Sequence, residues 1–158
     1  MAEAWQKRLA DEKRVQELRA KAEGGDGDAM LLLGKWYQLG MNGLAVDKAQ
    51  ARAWFERSAA ARYPRGIAAF GNCLLCGLGG PQDNVLGLVM VSQGAALGSD
   101  VGAYYLGWAF CKGWRGLTKD PVRARYWLKK VVDGECEYKN LTDQAIAEAA
   151  NWLRELDQ

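Results

Sequence analysis

The sequence predicts an all-α protein, a stack of three helical hairpins closed by one further helix at each end. Two observations carry this. First, a pattern with glycines six residues apart occurs three times: LGKWYQLG at 33–40, FGNCLLCG at 70–77 and LGWAFCKG at 106–113. Its inner glycines, Gly34, Gly71 and Gly107, are spaced by 37 and 36 residues, as are the outer ones, Gly40, Gly77 and Gly113. Second, the register continues past the motif, through Asp47, Asn84 and Asp120, then Ala51, Leu88 and Ala124, then Trp54, Val91 and Trp127, to Ala61, Gly98 and Gly134. A period of this length marks a stacked array in which each unit buries its face on the next. The totals agree. The 158 residues are 49% apolar and 25% charged with three prolines, the balance of a folded chain.

Taken in chain order, residues 2–23 form an N-terminal helix with a loose apolar stripe of Trp5, Leu9, Val15, Leu18 and Ala22. It fills the slot of a preceding second helix. Unit one spans 26–61. Its helix A starts after Asp26 or Asp28, either able to cap it, and stops at Gly40, suited to the left-handed position past a helix end. Its helix B follows Asp47. Unit two spans 62–98, with helix A near 65–76 and helix B near 84–97. Unit three spans 99–134, with helix A near 100–112 and helix B opened by Asp120 and Pro121, proline being favoured at a first helical position. A last helix within 142–157, capped by Thr142, presents Ile146, Ala149, Leu153 and Leu156. The whole, 1–158, reads as one domain. An inner glycine costs a helix about 1 kcal/mol against alanine. The expected return is close approach of helix B, with small residues such as Ala51, Ala59 and Ala124 on its side.

Leu33-Gly34, Tyr37, Gly40, Gly43, Asp47, Ala51, Trp54 and Ala59-Ala60 together resemble the SEL-one-like repeat, the branch of the tetratricopeptide superfamily with longer units and glycine-rich A–B loops. Unit three matches through Ala103, Leu106-Gly107, Gly113, Gly116, Asp120, Ala124 and Trp127. Unit two departs at Phe70, Leu74, Asn84, Leu88 and Val91. The resemblance implies a right-handed α-solenoid whose concave side binds a protein or peptide, in a non-catalytic adaptor or scaffold.

Counting from the Leu-Gly pair, the outward side of helix A carries Leu31, Lys35 and Gln38 in unit one, Ala68, Asn72 and Leu75 in unit two, and Tyr104, Trp108, Cys111 and Lys112 in unit three. These are the candidate partner-binding residues: an apolar floor with a cationic rim, suited to an apolar peptide or helix bearing an acidic residue. Between Arg65 and Lys112 the only other charges are Asp83 and Asp100. Three arrangements stay open: an open groove, a groove covered by the segment YKNLTDQ or the last helix, and a middle unit that joins copies of the chain. A permanently docked structural subunit is the alternative to an exchanging adaptor, and a ligand-binding or catalytic concavity at Tyr104 and Trp108 is a third class.

No catalytic residue, cofactor or metal site is expected. The chain has no histidine, which removes the usual general base and the commonest metal ligand. Cys73 and Cys76 form a CxxC, but near the C-terminal end of helix A, where the dipole opposes thiolate, and Cys111 and Cys136 lack the paired spacing of a zinc site. Free thiols in a reducing, intracellular compartment are the expectation. GLGGP at 77–81 lacks a phosphate loop's lysine and its strand, and reads as a hairpin connection. Glu135 with Glu137, Asp11 with Glu12, and the basic Arg123, Arg125, Lys129 and Lys130 read as solvated faces. A net charge of +2 argues for neither nucleic acid nor an anionic membrane, and no apolar run is long enough to span a bilayer or serve as a secretion signal.

Overall fold

The computed structural model describes the backbone of residues 1–158 and every side chain except that of Arg115. It consists of α1 (Ala2–Glu23), α2 (Gly27–Leu39), α3 (Lys48–Ala60), α4 (Pro64–Cys76), α5 (Asn84–Ala96), α6 (Asp100–Lys112), a 3-10 turn at Trp114–Gly116, α7 (Pro121–Val132) and α8 (Asp143–Glu155). Each boundary has a chemical cause. The Asp26, Asp47, Asp83, Ser99, Asp120 and Thr142 side chains each accept a backbone N–H from the first turn of the helix they open. α4 has no such cap and starts on Pro64 instead. α2, α4 and α6 stop at Gly40, Gly77 and Gly113, whose φ values of 68°, 65° and 67° an L side chain rarely adopts.

The helices form two layers. α2 with α3, α4 with α5, and α6 with α7 are the hairpins. α2, α4, α6 and α8 also touch in succession, whereas α3, α5 and α7 do not pack on one another. A stack tight along one layer and open along the other curves toward the tight one, so the A helices line its concave side. α1 takes the place of a preceding B helix against α2, and α8 that of a fourth A helix against α6 and α7. The core follows this order, from Ala22, Leu33 and Trp54 through Phe55, Phe70 and Leu74 to Leu106, Leu128 and Ala149.

The inner glycines do bring each helix B close. A Cβ on Gly34 would lie 2.5 Å from the Phe55 ring, one on Gly71 2.9 Å from the Val91 nitrogen, and one on Gly107 2.8 Å from the Leu128 side chain. A second set, Gly66 and Gly102, does the same between units. A Cβ on Gly102 would lie 2.5 Å from the nitrogen of Ala95.

Two sequence expectations are corrected. In unit two the residue equivalent to Asp47 and Asp120 is Asp83, not Asn84: its carboxylate accepts from Leu86, and its N–H donates to the Leu74 carbonyl, as Asp47 donates to Tyr37 and Asp120 to Phe110. The A–B loop of unit two is one residue shorter than its neighbours, which is why the glycine spacing falls from 37 to 36. The true columns are Ala51, Gly87 and Ala124, and Phe55, Val91 and Leu128, so the middle unit keeps its small residue where the others do. Secondly, α1 is packed only over its C-terminal half. Val15 and Ala22 are buried, but Trp5 and Leu9 are exposed, because a 22-residue helix overhangs the 13-residue α2.

Candidate partner-binding face

Backbone register fixes the outward row of the A helices: Asp28, Leu32, Lys35 and Leu39 on α2, Arg65, Ala69, Asn72 and Cys76 on α4, and Val101, Tyr105, Trp108 and Lys112 on α6. Every one of these is at least partly exposed, and Leu39 is 64% exposed. The sequence-based face is therefore partly misplaced. Leu31, Ala68 and Leu75 are core residues with 2%, 0% and 0% exposure. Leu31 packs with Ala51, Phe55 and Phe70, Ala68 meets Gly94, and Leu75 lies over Gly87. An A helix is gripped by its own B helix, the preceding B helix and both neighbouring A helices, so only a narrow strip stays open. Leu32, Ala69 and Tyr105 belong to that strip and were missed. The i, i+4, i+7, i+11 run from Asp28 to Leu39 was the available signal.

Tyr104 points sideways into the last helix. Its hydroxyl donates to Glu148 at 2.7 Å and its ring centroid lies 5.2 Å from that of Trp152. Burial first, then the Glu148 carboxylate, raises its pKa. The Trp108 ring centroid lies 4.4 Å from that of Trp114, the rings inclined by 59°, and 6.3 Å from that of Trp152. Tyr104, Tyr105, Trp108 and Trp152 line a shallow concavity of about 260 Å³. Tyr105 is pushed up to about 12, chiefly by burial. Lys112 closes this end on Glu155 at 2.9 Å, which raises its pKa. Gln38 and Cys111 are partly exposed at the flank of the strip.

The segment between α7 and α8 crosses the other edge of the face. Tyr138 bridges Ser99 and accepts from the Asp100 N–H, and its ring lies 6.1 Å from that of Tyr63. The buried Asp100 carboxylate accepts the backbone N–H groups of Asn140 and Leu141 at 2.7 and 2.9 Å. Asn140 Oδ1 then accepts from Lys35 Nζ at 2.8 Å and from Arg65 at 2.7 Å. The groove is thus covered along the N-terminal ends of α4 and α6 and open beyond them. Two cations share one neutral oxygen here. Burial, followed by the Arg65 charge, lowers the pKa of Lys35.

Among the described residues no three His, Cys, Asp or Glu converge as metal ligands. Cys73 is buried in the core, which pushes its thiol up to about 11, the opposite of a reactive thiolate. Among the described residues, no helix is long and apolar enough to cross a membrane.

With the hairpin geometry in hand, comparison with known proteins identifies it. The Sel1 repeat profile matches residues 27–63, 66–99 and 101–131. The chain belongs to the Sel1 repeat family. A Sel1 repeat protein from Oxalobacter formigenes, solved by crystallography, is 27% identical with a TM-score of 0.69, over 90% of this chain and 98% of that one. The protective antigen c5321 of uropathogenic Escherichia coli, which has the SLR fold, is 21% identical with a TM-score of 0.41, over 91% of this chain and 40% of that one. The sequence matches no curated protein at a significant level. Sel1 repeat proteins are in general non-catalytic scaffolds for protein interaction.

Proposed function

We propose that this Sel1 repeat chain is an adaptor that holds a partner protein or peptide on its concave face, along the open strip that runs from Leu32 and Leu39 across Ala69 and Asn72 to Trp108. The observation that carries this reading is the pair of cations at its head. Lys35 and Arg65 meet at a neutral amide oxygen, and the nearest carboxylate, Asp28, is 3.7 Å from Arg65. A desolvated pair of like charges beside exposed leucines favours a ligand that brings a carboxylate together with apolar side chains. The aromatic floor at Tyr105 and Trp108 supplies the broad contact area on which peptide anchors rest.

Selection of a displayed peptide library on the folded chain tests this. Enriched peptides should pair an acidic residue with apolar ones. Lys35→Ala and Leu39→Asp should each weaken them about tenfold, the scale of one interface anchor. Tyr104→Ala is unsuitable as a probe, because it would loosen α8 rather than empty the strip. Peptides that lack an acidic residue, or that bind both variants as well as the parent, would refute the proposal.

A further inference from the structure

The B helices are the solvent side of the stack, and a solvated helix carries charge on its outer face. α5 does not. Its outward positions are Val85, Val89, Ser92 and Ala96, and Val85 is 77% exposed. Counting from the three caps, Asp47, Asp83 and Asp120, aligns the neighbours. α3 presents Ala49, Ala53, Glu56 and Ala60, and α7 presents Val122, Tyr126, Lys129 and Asp133. All of these are exposed apart from the half-buried Ser92, and Val122 reaches 75%. Two apolar rows therefore cross the outer layer from helix to helix. The row beneath them reads glutamate, serine, lysine.

We propose that this outer face is a homodimer surface, closed by a second copy of the chain about a two-fold axis running along α5. An isologous contact of that kind sets each residue of α5 against its own copy and each residue of α3 against the residue of equal depth on α7. Val85 meets Val85 and Val89 meets Val89, with no charge to desolvate. Ala49 then faces Val122 and Ala53 faces Tyr126, so the longer side chains of α7 lie across from the shortest ones of α3 and fill the gap left by two curved surfaces. Glu56 faces Lys129, twice. The two-fold perpendicular to the helices is disfavoured by the same residues. It would lay α3 on α3 and α7 on α7, with Glu56 and Lys129 each over apolar positions and without an opposite charge. Opposite charges at equal depth on the two outer helices, with a neutral one between, suit a copy of the same surface.

The proposal is independent of the concave-face reading, since the two surfaces lie on opposite layers. Sedimentation velocity from low to high micromolar concentration tests it, with helicity checked by circular dichroism. The parent should dimerise, and so should Leu39→Asp on the other layer. Val89→Asp, which puts two carboxylates on the axis, should be monomeric. Glu56→Lys and Lys129→Glu should each weaken the dimer about tenfold, because each creates two like-charge pairs, and the double variant should recover the parent's affinity. A parent that stays monomeric, or a Val89→Asp chain that dimerises as the parent does, would overturn the surface. A double variant as weak as the single ones would overturn the axis.

Discussion

Gly102→Ala isolates the packing rule on which the stack rests. The new Cβ would lie 2.5 Å from Ala95 N, 2.8 Å from Val91 O and 3.0 Å from Gly94 C, all backbone atoms of α5. No rotamer change can clear them, so α6 must back away from α5 by roughly 1 Å to restore a normal contact distance. A gap of about 0.5–1 Å already forfeits a quarter to a half of each dispersion contact along the seam. Overpacking of a tight core costs about 1–3 kcal/mol, and three backbone contacts that no rotamer relieves put this site in the upper half of that range, about 2–3 kcal/mol. Replacing glycine by alanine inside a helix returns about 1 kcal/mol. The net expectation is a loss of about 1–2 kcal/mol, or a Tm lower by about 2–8 °C for a chain of this size. Urea and thermal unfolding followed by circular dichroism would measure it. An alanine variant as stable as the parent would refute the reasoning, because the helix propensity gained would then meet no steric opposition.

Arg62 stands at φ 61°, in line with Gly98 and Gly134, which hold 92° and 68° in the other two units. Arg62→Gly should therefore raise stability by about 0.5–1 kcal/mol in urea titration, by removing left-handed strain on a residue with a Cβ. Asn140→Ala removes the acceptor shared by Lys35 and Arg65 and should cost about 1–2 kcal/mol, with faster hydrogen exchange at the Asp100 and Asn140 amides. Intact protection there would show that the backbone bonds to Asp100 alone hold the segment. Cys73, pushed up to about 11 by burial, should resist alkylation at pH 8 while the exposed Cys76 reacts, read by peptide mass mapping. Because the folded pKa is the higher one, the contribution of Cys73 is complete below the unfolded value of 9.0 and is lost as pH rises through about 11. Stability that rises over that window would contradict the burial.

The glycine columns were legible because a close helix contact leaves a local mark, a residue without a side chain at a fixed step. Gly66 and Gly102 follow the same rule, but they lie outside the motif that drew attention to the other three. The columns of α5 were misaligned for a different reason. Asp83 and Asn84 are adjacent and both can cap, and the residue missing from the loop of unit two leaves no mark but the fall in glycine spacing from 37 to 36. Leu31, Ala68 and Leu75 were assigned to the open side because periodicity reports which residues share a face, not how wide the buried face is. The crossing of the groove by Tyr138 and Asn140 had no local signal at all. It depends on a carboxylate and two cations that lie 40, 75 and 105 residues from Asn140.

That crossing bears on where a partner could sit. The segment is fastened from beneath by the Asp100 carboxylate and by a backbone bridge to Ser99, so it is part of the stack rather than a cover that swings away. It occupies the N-terminal edge of α4 and α6 and leaves the last turns of the A helices, with Leu39, Cys76 and Lys112, facing outward. At the boundary between the closed and open parts, Asn140 accepts one hydrogen bond from each of Lys35 and Arg65 but offers no negative charge. A carboxylate in that place would have neutralised the pair and left the strip indifferent to an acidic ligand. The amide holds the two cations in position without adding a negative charge, and Asp28, 3.7 Å from Arg65, offsets one of the two, so in the proposed adaptor it is the remaining positive charge that would meet an acidic ligand.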